Sequence, residues 1–394
     1  MELKVDRTAI ALKMGDHIEN RIGQTVLNRL TVEDLDPNDP AGIPEEMQWY
    51  RVVLDKAISG DGSGYHIYVS RGRVNNLCII LSGGGVAWNE YTAARPVTGG
   101  KVAAGLPNFY WNNLRPFTQI MNINIGITNT KNAANPFADW CFVVITYATG
   151  DFHIGNNEFS YRTEDGEEAI LHFSGHRNFR ESMKIAKKYF GSPDRLLVAG
   201  NSAGAFAVPA LAGEIADDYY PECNDITLLS DSGLLLYDEW KNIAANVWKA
   251  DESFVSRIKS DNPTVDWFAT LYDRYGGRFR YLYASSTRDY LLSSYYNDIK
   301  TKQYTTDRDV QQAFYEQLVR MIAQLKEITD GFHFYFFDWP MLPQSIGKGG
   351  TVHTALKEIT FASKKTEDVT MADWLFDQTE GRSYDIGMKL ITEE

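Results

Sequence analysis

The sequence predicts an α/β fold, a mostly parallel sheet flanked by helices, with insertions that form the walls of a pocket. Six short apolar runs, at residues 77–82, 142–147, 196–200, 226–230, 281–284 and 332–337, are continuous rather than alternating, the pattern of strands buried on both faces. Helical patterns at residues 178–189, 203–216 and 310–329 fall between them, and strands alternating with helices make βαβ units. The 394-residue chain is 44% hydrophobic, enough apolar material to cover both faces of such a sheet.

Taken in order, residues 1–45 are mixed and polar, with a DPNDP turn at 36–40. They are expected to be an N-terminal extension packed on a single α/β domain spanning residues 46–394. The run LCIILS is the first core strand and ends in Gly83-Gly84-Gly85. Residues 98–137 then break the pattern. They are rich in Asn, Gly and Pro, carry Phe109, Tyr110, Trp111 and Phe117, and read as an irregular insertion suited to a pocket wall. The strand FVVITY runs into a polar loop that gathers Asp151, His153 and Asn156. LLVAG leads to Ser202 and a small-residue helix, ITLLS leads to Asp231, and residues 234–278 read as a helical insertion. YLYA leads to Asp289. FHFYFF leads through the glycine-bearing run IGKGGTV to His353 and a helix-like TALKEIT.

Net charge is −13, which repels phosphate backbones and anionic lipid heads, so neither nucleic acid nor a membrane surface is an expected partner. No stretch approaches the ~18 apolar residues of a membrane span, and the N-terminus as written lacks the basic and apolar regions of a signal peptide. Cys78, Cys141 and Cys223 are odd in number and far apart, which is neither a disulfide framework nor a zinc spacing, and Cys78 and Cys141 lie in strand-like apolar runs and are expected to be buried thiols. The 22 Tyr, 20 Phe and 9 Trp either fill a large core or line a ligand pocket.

The chemistry centres on Gly200-Asn201-Ser202-Ala203-Gly204, a G-x-S-x-G sequence directly after an apolar run and directly before a helix. A serine on such a strand-to-helix turn sits in a strained backbone conformation with its hydroxyl exposed, as in the nucleophile elbow of α/β-hydrolases. Glycines two before and two after avoid collision in the turn. Ser202 would also stand at a helix N-terminus, where the Ala203 N–H can face a developing oxyanion. A serine hydroxyl needs a base, and the base an orienting acid, here in the chain order Ser, acid, His. Of seven histidines only His333 and His353 follow Ser202; His333 lies inside a strand, whereas His353 lies on the loop beyond it and is the expected base. The acid is expected from the strand before, which selects Asp289, with Asp231 one strand earlier as runner-up and Asp338 on the wrong strand. The glycine turn from Ser82 to Gly85 suits the other half of an oxyanion hole, because glycines let the main chain approach a substrate closely.

The segments SGGGVAW, ITYATGDFHIGN, LVAGNSAGAFAVPA and LLSDSG, followed by Asp289 and His353, resemble the pectin acetylesterase and Notum carboxylesterase family over about residues 77–356. The resemblance implies an α/β-hydrolase that removes acyl groups from oxygen, with Ser202, Asp289 and His353 as the triad and the amides of Gly85, Val86 and Ala203 as the oxyanion hole. Trp88, Trp111, Asp151 and His153 are then expected near the substrate or behind the catalytic turn. The chain departs from the family where Val86 follows the glycines in place of Trp and where Ala205 replaces a last Gly. The expected reaction is removal of a small O-acyl group from a carbohydrate or similar ester, with no metal or organic cofactor. The rivals are a lipid or longer-acyl carboxylesterase, a peptidase sharing the triad, and a non-catalytic carbohydrate-binding relative, which would have lost the acid or base. Family likeness points to secretion, whereas few cysteines and no visible signal peptide leave a cytoplasmic location open.

Overall fold

A computed structural model describes residues 32–39, 42–115, 120–341 and 349–392. Its strands are β1 (Glu33–Asp34), β2 (Trp49–Ile58), β3 (Gly64–Ser70), β4 (Asn76–Leu81), β5 (Cys141–Ile145), β6 (Asn157–Arg162), β7 (Glu168–Phe173), β8 (Arg195–Asn201), β9 (Ile226–Asp231), β10 (Phe279–Ser286) and β11 (Phe332–Phe337). The main helices are α1 (Gly175–Tyr189), α2 (Ala203–Glu214), α3 (Pro263–Tyr275), α4 (Tyr290–Thr301), α5 (Arg308–Ile328) and α6 (Met371–Thr379). Nine strands form one sheet in the order β1-β2-β3-β5-β4-β8-β9-β10-β11. From β5 to β11 every neighbouring pair is parallel, while β3 joins β5 and β2 joins β3 antiparallel.

The continuous apolar runs have a direct cause. In β4, Leu77, Ile79 and Leu81 enter the core on one face while Cys78 and Ile80 enter the core on the other. β8 divides likewise, Leu196 and Val198 against Leu197 and Ala199. Successive side chains point to opposite faces, so a strand covered on both sides has no polar position to spare. β2 does not follow that pattern: Val53 and Asp55 are exposed, and the antiparallel margin of the sheet is therefore absent from the set of apolar runs. The hairpin of β6 and β7 is also missed, since β6 alternates between half-buried and exposed and β7 buries only Leu171 and Phe173.

Helix α2 is buried from Ala203 to Ala212, so its sequence is apolar all round. Pro209 inside it has no N–H, which leaves the Ala205 carbonyl without its helical donor. The Ser230 hydroxyl, from β9, donates to that carbonyl at 2.9 Å.

The insertion at 98–137 is irregular in its described residues apart from the short turns Gly99–Ala104 and Gly126–Thr128, and Phe117 lies outside the described residues. Of the expected N-terminal extension, residues 1–31 and 40–41 lie outside them too, while β1 pairs with β2 and forms the edge of the sheet. The insertion at 234–278 is helical. Residues 354–360, by contrast, form turns and not a helix, and the Asp231 carboxylate accepts the N–H groups of Ala355 and Leu356. All three cysteines are buried and unpaired. Among the described residues no helix is long and apolar enough to cross a membrane.

Candidate active site

The chain passes from β4 to β5 on one side and returns to β8 on the other. Such a reversal opens a crevice at the carboxyl ends of the strands, where ligands of open α/β sheets bind. Leu81 of β4 pairs with Gly200 of β8, and Asn201 with Asp231 of β9, so the glycine turn, Ser202 and Asp231 leave the sheet side by side.

Ser202 has φ 55° and ψ −124°, a left-handed conformation costly for a residue with a Cβ. The flanking glycines are sterically required: a Cβ on Gly200 would sit 2.1 Å from the Gly204 oxygen, and one on Gly204 1.8 Å from the Leu81 oxygen. The turn is held by the Ser202 N–H, which donates to the Asp231 carbonyl at 2.9 Å. The Ser202 side chain does not cap its own helix.

His353 lies on the loop after β11, and its Nδ1 meets Asp289 Oδ2 at 2.6 Å. A carboxylate can only accept, so Nδ1 carries the proton and the Nε2 lone pair is left. Nε2 is buried and has no hydrogen-bond partner among the described residues. Burial works against the imidazolium, but the Asp289 charge and hydrogen bond outweigh it and Asp231 adds to them, so the His353 pKa is raised. Asp289 is itself fixed by the end of its strand: Oδ1 accepts the N–H groups of Leu291 and Leu292, both at 2.9 Å, and so caps α4.

The other candidates for acid and base stand elsewhere. His333 meets Asp385 at 3.2 Å near the start of β11, the opposite end of the strand from the crevice. Asp338 is exposed. Asp231 is fully buried, but Oδ2 accepts from Ala355 at 2.9 Å and Leu356 at 2.7 Å, and Oδ1 from the Ser232 hydroxyl at 3.1 Å. Burial pushes its pKa up to about 6 against those hydrogen bonds. The Ser232 hydroxyl also reaches the His353 carbonyl. Asp231 and Ser232 thus tie the loop of His353 to the turn of Ser202, a role that a strand-end aspartate does not announce in sequence.

The glycine turn lies against Ser202, since a Cβ on Gly83 would fall 2.6 Å from the Ser202 Cβ. One expected oxyanion donor is corrected: the Val86 N–H is already given to the Phe109 carbonyl at 2.8 Å, in a bridge formed because Gly85 turns with φ 78°. Among the described residues the N–H groups of Gly84, Gly85 and Ala203 make no hydrogen bond. Of the aromatic residues expected at the pocket, Phe109 and Tyr110 are wholly buried. Trp88 is buried too, with its ring against Phe109 at 5.1 Å and Trp240 at 6.5 Å, so it backs the turn instead of facing a ligand. Trp111 is half-buried beside Gly84, whose carbonyl accepts its N–H at 2.9 Å. Asp151 and His153 are buried behind the turn. Lys357, Asn122 and Ser230, which sequence reasoning did not single out, are drawn in by tertiary contacts alone. Lys357 Nζ donates to Asn122 Oδ1 at 2.8 Å beside Ser82.

The pectinacetylesterase family model matches residues 51–261, more than half of the 394 residues. The chain belongs to the pectinacetylesterase family. It is a carboxylic ester hydrolase with the α/β-hydrolase type of sheet, and family membership implies deacetylation of a carbohydrate ester. A search of curated proteins found no match. The family match takes in the glycine turn, the loop of Asp151 and His153, and Ser202, whereas Asp289 and His353 lie beyond it.

Proposed function

We propose that this pectinacetylesterase-family enzyme cleaves its ester through an acyl-enzyme on Ser202, with His353 as base and Asp289 as orienting acid. The observation that carries the proposal is the 2.6 Å bond from His353 to Asp289, which leaves Nε2 without a partner on a loop tied to the Ser202 turn through Asp231. Ser202 Oγ attacks the ester carbonyl while its proton passes to Nε2. The carbonyl oxygen becomes an oxyanion facing the amides of Gly84, Gly85 and Ala203. Collapse expels the alcohol, which takes the proton from Nε2. Water then repeats the sequence on the acyl-enzyme and releases the acid and free Ser202.

The substrate is a short O-acyl group, acetyl for preference, on a carbohydrate, with Trp111 beside the glycine turn limiting the acyl end. Fluorophosphonate labelling followed by peptide mapping tests the nucleophile: the label should sit on Ser202, and Ser202→Ala should abolish both labelling and ester turnover. A label on another serine refutes the assignment. A nitrophenyl-ester series tests the acyl limit. An open apolar pocket gains roughly 0.8 kcal/mol per buried CH₂, so kcat/KM that rises steadily to octanoyl would favour a longer-acyl esterase. A fall beyond acetyl or butyryl, relieved in Trp111→Ala, is expected.

A further inference from the structure

A set of polar contacts outside the proposed triad surrounds Ser82, the first residue of the glycine turn. Its N–H donates to the Ile145 carbonyl at 3.0 Å, and its hydroxyl donates to Asn122 Oδ1 at 2.8 Å while facing Lys357 Nζ at 3.3 Å. Its carbonyl meets His153 Nε2 at 2.9 Å. On the far side of the same peptide unit, the Gly83 N–H donates to Asn201 Oδ1 at 3.3 Å. One peptide plane is therefore held at both ends, by the loop after β5 and by the residue next to Ser202. The peptide two further on is held as well, because the Gly84 carbonyl accepts the Trp111 N–H at 2.9 Å. Only the N–H groups of Gly84 and Gly85 remain, on a turn in contact with the nucleophile.

His153 is itself built into place. Phe152 and His153 are consecutive residues with φ 52° and 63°, a strained arrangement that persists only where surrounding contacts enforce it. Asp151 supplies one such contact: Oδ1 accepts the His153 N–H at 3.2 Å and the Thr149 hydroxyl at 2.7 Å, and Oδ2 accepts the Gly175 N–H at 2.8 Å. A Cβ on Gly155 or Gly175 would fall 2.4 or 2.2 Å from that carboxylate, so the closeness needs glycine at both. Tyr147 packs on the His153 ring at 4.6 Å and accepts the Phe152 N–H at 2.8 Å. The Phe152 ring stacks on Phe206 of α2 at 4.2 Å, which joins the loop to the helix that starts at Ser202.

We infer that His153 is a positioning residue for the oxyanion hole: it fixes the Ser82–Gly83 peptide so that the next two N–H groups face the carbonyl attacked by Ser202. The inference rests on the reading of Ser202 as nucleophile. A carbonyl can only accept, so Nε2 carries the ring proton. Burial lowers the His153 pKa to about 4, which keeps the ring neutral and its donor unchanged across the working range. Preorganised donors act because they need no reorientation when charge develops.

The test compares His153→Leu, which removes the donor, with His153→Gln, which restores an N–H. Asn201→Ala frees the other end of the same peptide. Rates are taken per active site titrated with fluorophosphonate, so loss of folded enzyme does not count. His153→Leu should lower kcat by ~10- to 100-fold, below the effect of deleting a direct oxyanion donor, with KM within about twofold and the acid limb of the pH profile unmoved. His153→Gln should recover part of the loss. Asn201→Ala should show the same signature, and its effect should not multiply with that of His153→Leu. Unchanged kcat per titrated site in both His153→Leu and Asn201→Ala overturns the inference, and so does a moved acid limb, which would mean action through the base. If His153→Leu does not fold, the Asn201→Ala result decides alone. A wild-type label away from Ser202 overturns the underlying reading. A label on Ser202 with inert His153 and Asn201 variants overturns this inference only.

Discussion

Asp289 divides its carboxylate between the helix it caps and the imidazole it faces, whereas both oxygens of Asp231 are spent on the loop and hydroxyl around it. The two residues are alike in type, burial and position at a strand end, and the difference lies in which donors meet them. Asp289→Asn should lower turnover by ~10⁴, because an amide can hold the imidazole in the wrong tautomer. Asp231→Asn keeps an acceptor for Ala355 and Leu356 and should leave most activity. Its distinct mark is electrostatic. As the proposed base His353 works neutral, and its pKa lies above the ordinary 6.5, so kcat/KM should fall as pH falls through a value above 6.5. The Asp231 charge helps raise that pKa, so Asp231→Asn should move the acid limb down. Rate measurements across pH with both variants check this, and the reverse ranking of losses would give the acid role to Asp231.

At the scale of an element, α2 shows how a helix that breaks a local rule is repaired by its neighbour. Pro209 removes a donor from a helix that must be buried, and Ser230 on β9 supplies one to the orphaned Ala205 carbonyl. Ser230→Ala should destabilise the protein by ~1–3 kcal/mol, the range for an unpaired buried polar group. Pro209→Ala supplies an N–H to the same carbonyl, so the double variant should lose less than Ser230→Ala alone. Urea unfolding of the four proteins measures this coupling, and strict additivity would show that Ser230 does not serve the proline gap. The β4 and β8 turns follow similar logic: their glycines are required because two backbones cross within contact distance where Ser202 leaves the sheet.

Across the whole molecule, the sheet gathers several titratable groups into a dry interior, and Lys357 is the clearest case. Burial lowers its pKa from 10.5 to about 7. Between those values the unfolded chain holds a proton that the folded chain has shed, so this lysine makes stability rise with pH, by up to ~1.4 kcal/mol per unit. Lys357→Met should be more stable than the parent near pH 7, with the gap closing toward about pH 9.5, before ordinary tyrosines ionise. Unfolding midpoints of the two proteins across that range test it, and parallel curves would mean that Lys357 keeps its proton in the folded state.

By itself the sequence determined the parallel part of the sheet, because strands buried on both faces carry few polar residues and so stand out as the six apolar runs that became β4, β5, β8, β9, β10 and β11. It likewise marked Ser202 with its two glycines, since the collision they avoid lies within a few residues of chain, and it ranked Asp289 and His353, which meet at 2.6 Å. Strand β2 and the hairpin of β6 and β7 were hidden, because partly exposed strands mix polar and apolar residues much as loops do, and β3, though buried, was hidden because His66 and Ser70 interrupt its apolar residues. Only tertiary structure decided that the Val86 amide belongs to Phe109, that Asp231 holds the loop of His353, and that Trp111 and not Phe109 or Tyr110 stands half-open beside the turn. Those outcomes depend on partners from far along the chain. A hydrogen bond has one donor to give, and which distant acceptor receives it is settled when the sheet brings the strand ends together.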